Sequence, residues 1–248
     1  MVHHQIDGSG RPVLLLHPIG LDLTCFDALA RELTPRYQIL RVDLRGHGRS
    51  PMTGDDVTLA DYANDVHGLL MHLGYQPIAV IGFSFGGMIA QTLALDHPSD
   101  VDALIASACP GTLGAPLRAA MAERGAVAER GGMAAVVDDT LARWFTPEFI
   151  AGGGAEPVRQ RLLTDDVRGW SAAWRAIAGL DTLPRLPAIR VPTLGLAADL
   201  DRASPPPVVE AIATAIPGAR FEVIAGAPHM LFIEQPRAVA AAIQRFLG

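Results

Sequence analysis

The segment of this chain best suited to chemistry is Gly82-Phe83-Ser84-Phe85-Gly86. It follows an apolar run, Ile78-Ala79-Val80-Ile81, that reads as a strand, and it precedes a helical pattern from Gly87 to Leu95. A G-x-S-x-G turn between a strand and a helix pushes the serine hydroxyl outward and aims the start of the helix at the same spot. The flanking positions take glycine because so tight a turn leaves no room for side chains. The competing reading is a glycine-rich αβ turn with an idle serine. A serine hydroxyl is a weak nucleophile at neutral pH. Ser84 therefore needs a base within hydrogen-bond reach, and the base needs an acid to orient it.

In a strand–turn–helix site the acid and then the histidine follow the serine along the chain, on loops after late strands. Of the eight histidines, only His229 lies beyond Ser84 on a loop that follows a strand, Ala225-Gly226-Ala227-Pro228-His229-Met230. His97 falls at the far end of the helix that leaves the turn. His67 and His72 fall on another helix, and His3 and His4 are terminal and expected in solvent. The acid is expected in Ala198-Asp199-Leu200-Asp201-Arg202-Ala203-Ser204-Pro205, where two carboxylates compete. Asp201 lies further past the strand end, where a side chain can turn back toward the histidine, and is preferred. Asp199 is left to cap or brace the turn. Acyl transfer also needs donors for an oxyanion. The backbone N–H of Phe85 is one, and the N–H of Ile19, on the loop after the first apolar run, is the other. Pro18 has no N–H to offer. The alternative for His17-Pro18-Ile19-Gly20 is an ordinary strand-to-helix loop.

The elements that must hold these residues alternate along the chain. Val13 to Leu16 is a continuous apolar run of the kind buried on both faces of a parallel sheet. A helix follows from about Cys25 to Leu33, a strand over Tyr37 to Asp43, and a helix from Leu59 to Leu73 with apolar residues at helical spacing. After the Ser84 turn come a strand over Val101–Ser107, a strand over Val191–Ala197, a helix over about Pro206–Ala215, a strand over Phe221–Ile224 and a last helix from Pro236. Strands alternating with helices predict an α/β fold with a parallel sheet wrapped on both sides. The core is read as residues 1–110 and 187–248. From 111 to 186 no strand pattern appears, and this alanine-rich stretch is read as a helical insertion rather than a separate domain. It holds Trp144, Trp170 and Trp174, all the tryptophans of the chain. They either pack the insertion on the core, the reading preferred for Trp170, or wall a substrate pocket above Ser84. Arg143 is either a fork for a substrate carboxylate or a solvated helix arginine.

Composition narrows the classes. The chain has 248 residues, half of them apolar, enough for one large domain. Its formal net charge of −6 argues against nucleic acid. No apolar run is long enough to span a bilayer, and the first residues have no signal-peptide core, so a cytoplasmic location is expected. The two cysteines, Cys25 and Cys109, make no disulfide framework and sit beside apolar segments, as small buried thiols do. No metal spacing and no G-x-G-x-x-G at a helix start is present. The expected partner is a small ester or lactone, with no cofactor.

Three segments carry a resemblance to the α/β-hydrolase superfamily across the whole chain: His17-Pro18-Ile19-Gly20, Asp43-Leu44-Arg45-Gly46-His47-Gly48-Arg49-Ser50, and Gly82 to Gly87. In that family the second is a turn after a strand, with a structural histidine at the place of His47. The acid loop usually opens with glycine, here Ala198, and bears its aspartate at the fourth position, which is Asp201. Within the superfamily the chain looks most like 3-oxoadipate enol-lactonases, through Arg143-Trp144-Phe145-Thr146-Pro147-Glu148-Phe149 and Gly169-Trp170-Ser171-Ala172-Ala173-Trp174-Arg175-Ala176-Ile177 with Asp181. The resemblance implies an α/β-hydrolase fold with a helical cap, and serine hydrolysis of an ester or lactone by Ser84, His229 and Asp201. Arg143, Trp144 and Trp174 are the candidate substrate contacts within this cap, on the pocket reading given above. General carboxylesterase, C–C bond hydrolase and cofactor-free perhydrolase chemistry use the same residues. A non-catalytic ligand-binding protein on the same scaffold is the reading outside enzymes.

Overall fold

The computed structural model describes residues 1–54 and 56–248. Its centre is a 7-stranded sheet. The strands are β1 (His4–Gly8), β2 (Arg11–Leu16), β3 (Tyr37–Val42), β4 (Ile78–Phe83), β5 (Val101–Ser107), β6 (Thr193–Ala198) and β7 (Arg220–Ile224), in the spatial order β1-β3-β2-β4-β5-β6-β7. Only β1 runs antiparallel, against β3; the other neighbours are parallel. β4 and β6 are buried at every position, and the last four residues of β2 and β3 are buried too. This is the signature of a sheet covered on both faces, and it explains why these strands read as unbroken apolar runs.

The covering helices follow from local chemistry. α1 (Asp27–Leu33) packs with the C-terminal α11 (Pro236–Leu247), and α2 (Leu59–Leu73) packs with α3 (Phe85–Asp96). α9 (Pro206–Ala215) lies on β6, and the short α10 (Leu231–Glu234) follows the β7 loop. α2 starts at a capping box in which the Thr58 N–H donates to Asp61 Oδ2 and the Asp61 N–H donates to Thr58 Oγ1. It stops at Gly74 in the left-handed conformation. Tyr62, Val66, Leu69 and Leu70 form its buried stripe. A pattern so complete is why its boundaries were predictable to the residue.

Between β5 and β6 the chain adds no strand to the sheet. It makes α4 (Ala115–Gly131), α5 (Val137–Trp144), α6 (Pro147–Ala151), α7 (Glu156–Leu163) and α8 (Val167–Ala178). Thr112 and Asp181 form an isolated antiparallel bridge near the two ends of this insertion. α4 and α8 are its most closely packed pair, and Ser171 Oγ donates to the Gly125 carbonyl across them.

Two expectations need correction. β1 was not anticipated, because an edge strand exposed at Gln5 and Ile6 needs no apolar alternation. His3 and His4 are consequently not free in solvent. His3 Nδ1 lies 2.7 Å from Asp43 Oδ2, and His4 pairs with Val42 in the sheet. Among the described residues, no helix is long and apolar enough to cross a membrane.

Candidate active site

Ser84 stands where β4 ends and α3 begins, with φ 53° and ψ −114°. A non-glycine residue in that region costs roughly 1–3 kcal/mol, so its surroundings must hold it there. They do so from both sides. The Ser84 N–H donates to the Ser107 carbonyl at 2.8 Å, continuing the β4–β5 ladder. A Cβ on Gly82 would lie 2.1 Å from the Gly86 carbonyl oxygen, and one on Gly86 would lie 2.1 Å from that of Leu16. Both positions exclude any side chain, as the turn chemistry predicted.

The carboxyl ends of three other strands bring the remaining groups to Ser84. His229 sits on the loop after β7, with Nε2 2.9 Å from Ser84 Oγ and Nδ1 2.8 Å from Asp201 Oδ2. Asp201 lies on the loop after β6, and its Oδ1 accepts from the N–H groups of Ala203 and Ser204. All three side chains are nearly buried. Burial by itself raises the Asp201 pKa. The neighbouring His229 charge and the bonds from His229, Ser204 and Ala203 outweigh it and hold this carboxyl below its ordinary range. Asp199, the competing carboxylate, turns elsewhere: its Oδ1 accepts from the Ala227 N–H and braces the β7 loop.

Ile19 follows β2 and lines the same cavity as Ser84 and His229. Phe85 is the first residue of α3, so its N–H belongs to a helix start with no intrahelical acceptor. Among the described residues, neither the Ile19 N–H nor the Phe85 N–H donates a hydrogen bond. The cavity holds about 180 Å³. Its far wall comes from the insertion and includes Arg143, Trp144 and Trp174, the three residues singled out from the sequence. Trp170 is absent from that wall; it is buried with its ring against Gly20. A larger groove of about 400 Å³ runs from Asp56 to Arg185, but no serine, cysteine or histidine lines it.

Sequence reasoning missed Arg124. It projects from α4 into the Ser84 cavity, with its guanidinium carbon 5.1 Å from the centre of the Trp174 ring. Desolvation, helped by repulsion from Arg143, pushes its pKa down to about 10. Among the described residues, no carboxylate lies within ion-pair distance of the Arg124 or Arg143 guanidinium. Trp174 Nε1 is also buried without a partner. Alanine-rich α4 buries only Gly125 and Ala128, so its sequence carries no stripe that marks an inward face.

Among the described residues, one group of histidines and carboxylates is compact enough to suit a metal: His67, His97 and Asp100. It lies at the end of α3 remote from Ser84. His67 Nδ1 donates to Asp100 Oδ2 at 2.6 Å, Gln76 holds the other Asp100 oxygen, and His97 Nε2 meets Asn64 Oδ1. The two imidazoles stack 9° from parallel. These groups satisfy one another. Sequence spacing showed no such cluster because α2, the end of α3 and the following turn each supply one member.

The chain matches the alpha/beta hydrolase family over residues 13–242. It is 26% identical over 245 residues to 3-oxoadipate enol-lactonase 2 of Acinetobacter baylyi, covering 96% of this chain and 91% of that protein. The structure of a thermophilic esterase from Thermogutta terrifontis, solved with malate bound, superposes with a TM-score of 0.93 at 31% identity, covering 99% of this chain and 92% of that one. The enol-lactonase from Burkholderia xenovorans LB400 superposes with a TM-score of 0.94 at 28% identity, covering 99% and 96%.

Proposed function

Since the chain belongs to the alpha/beta hydrolase family, we propose that it is a serine hydrolase that opens a small ester or lactone through an acyl-enzyme. One observation carries the reading: an unbroken contact from Asp201 through His229 to Ser84, at 2.8 and 2.9 Å. Ser84 Oγ attacks the substrate carbonyl carbon as its proton passes to His229 Nε2. Asp201 keeps the imidazole oriented and stabilises its positive charge. The carbonyl oxygen becomes an oxyanion held by the N–H groups of Ile19 and Phe85. The bond from carbon to the leaving oxygen then breaks, and His229 returns the proton to that alkoxide or enolate. In a lactone the leaving oxygen stays tethered to the acyl chain. Water attacks the acyl carbon next, giving its proton to His229. Collapse releases the acid and restores the Ser84 hydroxyl.

The helical segment 111–186 acts as the cap over this site. An enol-lactone like that of 3-oxoadipate is the favoured substrate class, for two reasons. The similarity to enol-lactonases spans nearly the whole chain. Arg124 and Arg143 also offer positive charge that the cavity does not neutralise, as an acyl group bearing a free carboxylate requires. A carboxylesterase for small anionic esters is the second reading, favoured by the malate-bound esterase at 31% identity.

The test begins with Ser84→Ala, expected to lower kcat by at least about a thousandfold. Intact mass after fluorophosphonate treatment should show one adduct on the native protein and none on the variant. Unchanged hydrolysis by Ser84→Ala sinks the serine mechanism. A panel of enol-lactone, simple lactones and p-nitrophenyl esters then ranks the substrate classes. Faster turnover of long acyl esters than of any lactone removes the enol-lactone assignment.

A further inference from the structure

We infer that His17 is a positioning residue for the oxyanion hole: it fixes the peptide unit whose N–H faces Ser84. The inference rests on the serine-hydrolase reading above and assigns a task that reading leaves open. An amide on a loop is useful as an oxyanion donor only if its plane is held before the charge develops. The Phe85 N–H is held by the start of α3. The Ile19 N–H lies on a loop and needs another restraint.

The restraint is one hydrogen bond away. His17 Nδ1 lies 2.7 Å from the Pro18 carbonyl oxygen, and His17 Nε2 lies 2.9 Å from the Leu44 backbone nitrogen. The partners dictate the tautomer. A carbonyl only accepts, so Nδ1 carries the proton. An amide N–H only donates, so Nε2 presents its lone pair. The Pro18 carbonyl and the Ile19 N–H belong to the same peptide unit, and this unit is trans. In a trans peptide these two groups point in opposite directions. Pulling the carbonyl toward the buried His17 ring therefore turns the Ile19 N–H the other way, into the cavity that Ile19 shares with Ser84.

Three further features agree. The Leu21 N–H also reaches the Pro18 carbonyl, at 3.4 Å, so the turn closes on the same oxygen. Proline at position 18 leaves its own peptide nitrogen without a hydrogen to compete for acceptors. The His17 ring is fully buried among His47, Asp43 and Asp22, and desolvation pushes its pKa down to about 3, so a second proton does not displace the Leu44 bond at working pH. His17 does not line the cavity and touches no reacting atom, so its effect passes through the peptide.

A purely structural histidine would serve equally by tying Leu44 to the β2 loop, and two variants separate the roles. His17→Asn sets an amide N–H near the place of Nδ1 and keeps the bond to Pro18. His17→Gln sets an amide oxygen near the place of Nε2 and keeps the bond from Leu44. The Gln variant should lose roughly tenfold or more in kcat with KM within about threefold, and bind a trifluoromethyl ketone correspondingly more weakly. The Asn variant should stay within about threefold of the native kcat. Native kcat and ketone affinity in the Gln variant, or equal losses in both, overturn the inference. Nitrogen-15 NMR of the native protein gives a reading that needs no variant to fold. Nδ1 should be the protonated nitrogen from pH 5 to 8, and the opposite tautomer refutes the assignment. Ser84→Ala measured alongside tells two failures apart. If it remains active, the serine mechanism itself falls; if it is inactive while the Gln variant is unimpaired, only the role of His17 falls.

Discussion

The two walls of the Ser84 cavity are built on opposite terms. On the sheet side, the polar groups in contact with Ser84 and His229 are matched to protein partners, whereas Arg202, on the loop after β6, lines the cavity with no carboxylate at ion-pair distance among the described residues. Asp201 accepts from His229, Ala203 and Ser204, His17 bonds at both ring nitrogens, and the Ser84 N–H completes a strand ladder. The two amides left over, at Ile19 and Phe85, donate to no acceptor among the described residues, and Ile19 lines the cavity. On the insertion side, the Arg124 and Arg143 guanidiniums have no carboxylate at ion-pair distance among the described residues, and Trp174 Nε1 is buried without an acceptor. A buried polar group is normally satisfied, so Trp174 Nε1 is the exception on this side; Arg124 is half-buried and Arg143 is exposed, and water can reach their charge when the cavity is open. The difference separates two tasks. On the proposed reading, the sheet side preorganises acyl transfer, while the insertion side supplies a preference for an acyl group that bears a free carboxylate.

The harshest way to break this contrast is to disturb the sheet side at one oxygen. Asp201→Asn keeps the shape but removes the charge that orients His229, and should lower kcat by about a thousandfold or more with little change in KM. Asp199→Asn changes a carboxylate only two residues away, whose oxygen braces Ala227 instead. It should leave kcat within about threefold and cost about 1 kcal/mol of stability. Steady-state kinetics and denaturant titration of the pair decide the matter. Equal kinetic losses would mean that the acid has been misassigned.

The insertion side should respond in KM. Arg124→Gln should raise KM by about tenfold to a hundredfold for an ester bearing a free carboxylate, the range expected when a charge-assisted hydrogen bond is lost. For a neutral ester of the same size the change should stay within about threefold. Parallel kinetics on the two esters sharpen the comparison. If both esters lose equally, Arg124 matters as packing on Trp174 and the charge preference disappears.

The same division governs how much was legible in the sequence. The serine turn was legible because its demands are local: glycine on either side of Ser84, an apolar strand before it and a helix after it. His229 followed from chain order and loop placement. Choosing Asp201 over Asp199 rested on its place further past the strand end and on the resemblance of the acid loop, and the structure brings Asp201 to His229. Arg124 was illegible because its inward direction is set by α4 packing on α8, not by any periodicity in α4 itself. β1 was illegible because an exposed edge strand draws its stability from pairing with β3 rather than from its own side chains. The His67, His97 and Asp100 cluster was illegible because tertiary folding alone brings its members together.

The smallest predicted effect concerns pH and again sets the sheet side apart. His17 stays neutral in the folded protein down to about pH 3 because burial opposes its charged form. In the unfolded chain it takes a proton near pH 6.5. Between those values the unfolded state binds one more proton at this position than the folded state, so stability falls as the solution becomes more acid. The slope is about 1.4 kcal/mol for each pH unit well below 6.5. Other groups titrate in the same window, so the useful quantity is a difference between two proteins. Urea unfolding of the native chain and of His17→Asn at pH 7.0, 6.0 and 5.0 cancels contributions from distant sites. Asparagine does not titrate, so the variant should lose less stability than the native chain across this range, with the gap widening toward pH 5. Identical pH slopes would mean that the imidazole accepts its proton in the folded state as readily as in water. The neutral, singly protonated ring that holds the Pro18 carbonyl would then be wrong as well.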